Sequence, residues 1–203
     1  MDTNKREIEI IKAKDNSYAL KINNKFVYSK FYTLKDAEKF IENNKQLILN
    51  NKYIVMYRLG FGYHVKEVLK RIPLDSELFL FDLDMEIYDI ANECKLLHEI
   101  EKDSRVKIIL SNNKNFYKEF TDKLSLVEDI IVYEPLLKVL EGKYNNFKEA
   151  IKSYKIAKIN LEIFEPIMNE NEEENIKNNY KTIGEFFKTF KLKNKSIIIA
   201  SAG

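Results

Sequence analysis

Apolar and polar residues alternate along the first ~30 positions of the chain in the manner of strands. Ile8 and Ile10, with Lys12 extending the register, mark one face before a turn at Asp15-Asn16-Ser17. Tyr18, Leu20 and Ile22 then recur at period two, Asn23-Asn24 turns again, and Phe26 and Tyr28 continue the alternation. This pattern predicts a β-meander. The period then changes. Thr33 stands as an N-cap with Asp36 three residues on, a weaker form of the capping box. Leu34, Ala37, Phe40 and Ile41 trace a helical stripe to about Asn43.

From Tyr53 to Tyr57 the chain reads Tyr-Ile-Val-Met-Tyr, a short apolar run of the kind buried in a parallel sheet. A glycine turn follows, and Val65, Val68 and Leu69 carry a helix to about Arg71, broken by Pro73 and Asp75. Leu78 to Phe81 is a second buried strand, ending in Asp82-Leu83-Asp84, after which Ile87, Ile90 and Ala91 open a helix. Val106 to Leu110 is a third strand and Asp129 to Tyr133 a fourth, with a helix near Phe116 to Leu124 between them. Strands alternating with helices imply a parallel sheet with right-handed crossovers.

Beyond Pro135 the spacing lengthens. Phe147, Ala150, Ile151, Tyr154, Ala157, Leu161 and Phe164 recur at three and four, predicting a helix that ends near Pro166. Ile176, Tyr180, Ile183, Phe187 and Phe190 stripe another, opened by the acidic run Glu172-Glu173-Glu174. Ser196 to Ala200 reads as a further strand entering a small-residue turn. The expected organisation is a meander-plus-helix subdomain over 1–50, a Rossmann-like unit over 51–142, a helical pair over 143–192, and over 193–203 the start of a following domain that is cut short. The fold class is α/β: a Rossmann-like, class I methyltransferase-like parallel sheet with an N-terminal β-meander and C-terminal helices.

The candidate chemistry sits in Tyr57-Arg58-Leu59-Gly60-Phe61-Gly62-Tyr63-His64, between a strand and a helix. Glycines there let the backbone turn tightly and let a ligand approach with no Cβ in the way. The helix start adds free N–H groups suited to a phosphate or carboxylate. Asp82 closes the next strand, where a carboxylate typically accepts from ribose hydroxyls. Gly60, Gly62, Tyr63, His64, Asp82 and Asp84 are therefore the candidate residues for a nucleotide-like or S-adenosylmethionine-like ligand. The other reading is a Rossmann topology that keeps its glycines for packing and binds nothing. Two features favour it: Arg58 holds the first glycine position of a Gly-x-Gly-x-Gly pattern, and Met56 sits where methyltransferases usually carry an acid. An arginine there either fills the pocket or pairs with an anionic ligand.

Asp82-Leu83-Asp84 also fits the Asp-x-Asp metal motif of many nucleotide-sugar transferases, although the upstream glycine turn favours the ribose role and no metal ligand is assigned. Asp84 alternatively caps the helix that begins near Met85. His64 either orients a ligand or carries a proton, or packs under the loop. Cys94 and His98 fall at i, i+4 on one helix face, which is too few ligands for zinc. No residue is assigned as catalytic: Gly-x-Ser-x-Gly, Walker and His-Glu-x-x-His motifs are missing.

Composition narrows the partners. The formal charge of +2 over 203 residues is spread along the chain with no basic block, so a nucleic-acid partner is not expected. No stretch reaches the ~20 apolar residues of a membrane span. One cysteine excludes an intramolecular disulfide, and the N-terminus has no apolar signal core, so a cytoplasmic location is expected.

Four segments together resemble the amino-terminal part of the motility accessory factor proteins, flagellin glycosyltransferases with a central domain similar to hydroxymethylpterin pyrophosphokinase. Tyr32 to Phe40 resembles the family's helix after the meander. Leu59-Gly60-Phe61-Gly62-Tyr63-His64 resembles its Gly-Leu-Gly-Tyr-His turn, Phe79 to Glu86 its second strand, and Ile197 to Gly203 the opening of its central domain. Arg58 departs from the pattern, in which glycine is usual. The resemblance implies a protein that transfers a nonulosonic acid from its CMP-activated form to flagellin. The transfer machinery would lie beyond Gly203, and this region would be non-catalytic, with flagellin or its own central transferase domain as partner. An S-adenosylmethionine-binding, methyltransferase-like protein is the alternative.

Overall fold

The computed structural model describes residues 6–49, 51–140 and 142–160, together with Glu174 and Lys177. The alternating segment forms an antiparallel sheet of β1 (Ile8–Lys12), β2 (Tyr18–Ile22) and β3 (Lys25–Phe26), in that spatial order. Ile8 pairs with Ile22 and Lys12 with Tyr18. The connecting turns place Asn16, Asn23 and Asn24 at positive φ, where asparagine is the best tolerated residue after glycine. β3 is shorter than the alternation predicts. After Phe26 the chain leaves the sheet, and Tyr28 enters the core instead of continuing the strand.

Helix α1 (Thr33–Asn43) has the predicted C-terminal end but a different start. Thr33 is its first helical residue, and Tyr32 holds the cap position without a side-chain bond. Capping is tertiary instead. Asp15, from the β1–β2 turn, accepts from the Leu34 N–H at 3.3 Å. Thr33 Oγ1 donates to the Ser29 carbonyl at 2.9 Å, and Asp36 reaches back to accept from the Ser29 N–H at 3.2 Å. A short helix, α2 (Lys45–Leu49), follows and buries Ile48.

The second sheet contains β4 (Tyr53–Tyr57), β5 (Glu77–Asp82), β6 (Val106–Leu110) and β7 (Ile131–Val132) in the order β6-β5-β4-β7, with every pairing parallel. The intervening helices are α3 (Tyr63–Leu69), α4 (Met85–Glu93), α5 (His98–Lys102) and α6 (Phe116–Leu124), with α7 (Glu134–Lys138) after β7. This is a Rossmann-like α/β fold. Its first strand lies between the second and the fourth, so the direction of winding reverses beside β4. Open α/β sheets hold ligands at such a reversal, outside the carboxyl ends of the strands. β7 is shorter than its apolar run predicts because it pairs only with Met56 and Tyr57, at the end of β4.

The helix predicted from Ile87 onward breaks where Cys94 and His98 were placed on one face. α4 stops at Glu93, Lys95 turns to φ +56°, and the Lys95 and Leu96 N–H groups close back on the Asn92 and Ala91 carbonyls at 2.8 and 2.9 Å. That closure is a Schellman motif. His98 opens α5, a separate helix.

The chain divides into two compact units, Met1–Ala150 and Ile151–Gly203. The first contains both sheets on one core, in which Leu20, Ile22 and Tyr28 join Ile54, Met56, Leu80 and Ile131. In the second, residues 151–160 are helical. The remainder of the predicted helical pair and the strand from Ser196 lie outside the described residues. Among the described residues no helix is long and apolar enough to cross a membrane.

Gly62 occupies the N-cap of α3 at φ +76°, and a Cβ there would meet Ile100 Cδ1 at 2.5 Å and Leu97 Cδ2 at 3.0 Å. Gly142 shares the backbone strain at φ +68° but faces open space. Gly62→Ala is expected to cost about 2 kcal/mol or more in urea unfolding, combining strain with overpacking. Gly142→Ala should cost about half as much, and equal losses would show that packing at Gly62 is unimportant.

Candidate functional site

The turn after β4 has an unusual backbone for a residue with a long side chain. Arg58 sits at φ +82°, ahead of Gly60 at +53° and Gly62 at +76°. Its N–H donates to the Phe81 carbonyl at 2.9 Å, carrying the β4–β5 ladder one residue past the strand. A left-handed conformation costs a non-glycine residue on the order of 1–3 kcal/mol, so the side chain must make contacts that offset it.

Those contacts are the two carboxylates at the end of β5. Arg58, 0% exposed, donates from Nη1 to Asp82 Oδ1 at 2.5 Å and from Nη2 to Asp84 Oδ2 at 3.1 Å. Asp82 Oδ2 accepts from the Leu59 and Gly60 N–H groups at 2.8 and 3.4 Å, and Oδ1 from the Asp84 N–H at 2.9 Å. Asp84 takes a bidentate pair from Arg6 at 2.7 and 2.8 Å and accepts from the Ile87 N–H at 3.4 Å, capping α4. Each of the four carboxylate oxygens thus has two donors. Two buried anions stand against two guanidiniums. Burial pushes the Asp84 carboxyl upward, but Arg6 and Arg58 outweigh it and hold it below the ordinary carboxylate range. Burial acts against the Arg58 charge, yet Asp82, Tyr57 and Asp84 raise its pKa overall.

The glycine turn is covered in the same way. A Cβ on Gly60 would collide with Leu136 Cδ1 and the Tyr28 hydroxyl, so those side chains fill the space that the missing Cβ leaves. The Tyr28 oxygen accepts from the Phe61 N–H at 2.8 Å. Its ring stacks on Phe61 and Tyr133, with centroids 5.8 and 5.5 Å away. Tyr133 in turn stacks on His64 at 4.2 Å, with the rings 6° from parallel.

The structure brings Gly60, Asp82 and Asp84 together on neighbouring strand ends, as the strand-turn-helix pattern predicts. His64 faces the same turn from α3: its Nε2–H donates to the Arg58 carbonyl at 2.8 Å, while buried Nδ1 has no partner. This is the packed arrangement, under the loop. Burial lowers the His64 pKa to about 4, helped by the Arg58 charge and opposed by the bond to the Arg58 carbonyl. Tyr63 points elsewhere and ties α3 to β2, accepting from the Tyr18 N–H at 2.9 Å and donating to the Tyr18 carbonyl at 3.1 Å. Among the described residues no group of three or more His, Cys, Asp and Glu is placed to hold a metal ion.

Sequence reasoning missed Arg6, Tyr28 and Tyr133. Arg58 at a glycine position was the available signal, because a buried arginine requires anions and the nearest acids in the pattern were Asp82 and Asp84. Nothing local marks Arg6 as their second cation.

Beyond Tyr63 a cleft of about 400 Å³ is lined by Leu34, Glu38, Lys66, Glu67, Lys70 and Glu99. Its charges largely satisfy one another: Lys66 pairs with Glu99 at 2.7 Å, and Lys70 and Arg71 with Glu67. The sequence matches no protein-family model, and no curated protein matches it.

Removing one partner of a buried ion pair costs roughly 3–5 kcal/mol, most of it from the charge left behind. Arg58→Met should lower stability by about that amount in urea unfolding, and adding Asp82→Asn should restore part of it. A double variant no more stable than the single one would contradict the charge-balance account.

His64 supplies a pH test. Its folded pKa lies below the free value of 6.5, so its contribution is complete above pH 6.5 and declines as pH falls toward about 4. Between pH 7.5 and pH 5 the loss should be about 2 kcal/mol. His64→Gln should remove that portion of the slope, as read from urea midpoints at the two pH values.

Proposed function

We propose that the chain is a Rossmann-like accessory domain of a protein glycosyltransferase that modifies flagellin with a nonulosonic acid, and that it contributes no catalytic group itself. Three of the four segments resembling the motility accessory factor proteins lie within the described structure. They form the start of α1, the turn after β4, and the passage from β5 into α4. The fourth, Ile197 to Gly203, lies outside it.

One observation carries the non-catalytic part of this reading. At the reversal of the sheet, Arg58 saturates the carboxylates that a ribose would use, while Tyr28 and Leu136 occupy the space over Gly60. A ligand entering there must displace a buried, doubly paired guanidinium and a stacked tyrosine. On this reading the turn, with its acids, is a structural joint, and the domain acts through its surface on flagellin or on the transferase domain. An S-adenosylmethionine-binding, methyltransferase-like protein is the competing reading, and it requires Arg58 to leave both carboxylates.

Calorimetric titration of S-adenosylmethionine and of CMP, each into the purified chain, is expected to give no saturable heat. Micromolar binding of S-adenosylmethionine would establish the competing reading. Immobilised chain is expected to retain purified flagellin or a separately expressed central transferase domain. Retention of neither would remove the accessory role.

A further inference from the structure

The even spread of charge along the sequence conceals a clustering in space. Between Lys12 and Lys39 the chain carries seven lysines against three acids. Two of those acids are engaged by the backbone: Asp15 accepts from the Ser17 and Leu34 N–H groups, and Asp36 from the Ser29 N–H. Lys14, Lys30 and Lys35 are exposed and form no ion pair among the described residues.

Three aromatic rings lie among these ammoniums. Phe26, Phe31 and Tyr32 are 43%, 42% and 51% exposed, a costly display for such large apolar groups. The Lys14 ammonium sits 4.9 Å from the Phe31 centroid, and that of Lys30 lies 5.1 Å from Phe31 and 5.9 Å from Phe26. Lys35 sits 4.9 Å from Tyr32. Cation and ring therefore alternate across the surface as Lys14, Phe31, Lys30, Phe26.

The backbone holds this display in place. Ser29 Oγ accepts from both the Phe31 and Tyr32 N–H groups at 3.2 Å, and the Lys14 N–H donates to the Lys30 carbonyl at 3.3 Å. Tyr28, buried beneath, fixes the loop from inside. The rings are turned outward by a hydrogen-bonded loop and not by fraying.

We infer that this platform binds single-stranded nucleic acid, with bases stacking on Phe31 and Phe26 and phosphates meeting Lys14 and Lys30. Alternation of ring and cation matches the alternation of base and phosphate along an unpaired strand, and stacking needs bases free of a duplex. A bilayer surface asks for a different arrangement, with rings projecting below a rim of ammoniums. Here each ammonium rests against a ring face, and it moves from the ring to a phosphate as a base takes its place. The site is separate from the turn after β4 and does not depend on the accessory-domain reading.

The test is fluorescence anisotropy of labelled fifteen-residue poly-dT and poly-U with the intact chain, alongside a duplex of equal length and phosphatidylserine vesicles. Saturable binding of a single strand is expected, favoured over duplex, with a log–log salt slope of about −1.4 for two phosphate contacts. Phe31→Ala should weaken it at least about fivefold, and Lys30→Ala should make the slope shallower, with each variant confirmed as folded by circular dichroism at the assay temperature. No binding at 50 μM chain and low salt, equal affinity for duplex, indifference to both substitutions, or binding to vesicles alone would each overturn the proposal.

Discussion

A cation shut away from water must be neutralised where it sits, and most of the local geometry follows from meeting that demand for Arg58. Its guanidinium links the ends of β4 and β5 through Asp82 and reaches Asp84, which also receives Arg6 from ahead of β1. The turn, the start of α4 and the N-terminal segment are thereby held by one set of buried charges. Breaking such a set at a single member leaves an uncompensated ion in a medium that solvates it poorly. Positive φ at Arg58 is offset by the two carboxylates its side chain reaches from there.

Tyr28 does for the apolar side what Arg58 does for the charged side. It leaves the meander, lies over Gly60, accepts a backbone hydrogen bond from Phe61 and stacks into a column with Tyr133 and His64. The small antiparallel sheet and the parallel sheet consequently share a core within the unit Met1–Ala150. The glycines keep their geometric purpose, close approach without a Cβ, but what approaches is the chain itself.

Much of the parallel sheet was legible because buried strands announce themselves as apolar runs. β4, β6 and α6 fall on the predicted residues, and Asp82 lies beside the glycine turn as its spacing requires. Where reading failed, the deciding partner was distant in sequence. Thr33 reads as a cap, but Asp15 supplies a carboxylate from another turn. Tyr28 continues a period-two pattern, yet its ring has a better place against Phe61 and Tyr133 than on a sheet face. Cys94 and His98 keep helical spacing across a lysine that adopts the left-handed conformation, a departure that propensity does not foresee. Arg58 was visible as an anomaly, and its partners were visible as acids. That all four carboxylate oxygens would be filled by this chain's own donors was not, because Arg6 lies 78 positions from Asp84.

The double occupation of the turn also constrains how such a chain changes over generations. Replacing Arg58 with glycine alone would take the cation from Asp82 but leave its backbone donors in place, and Tyr28 and Leu136 over Gly60. Replacing Tyr28 alone would open a hole in the core while the acids stayed sealed. Neither single step yields a usable crevice, because each leaves the other obstruction in place. Opening the turn to a ligand therefore takes coordinated change at Arg58 and at Tyr28 with Leu136, two obstructions that come from different parts of the chain.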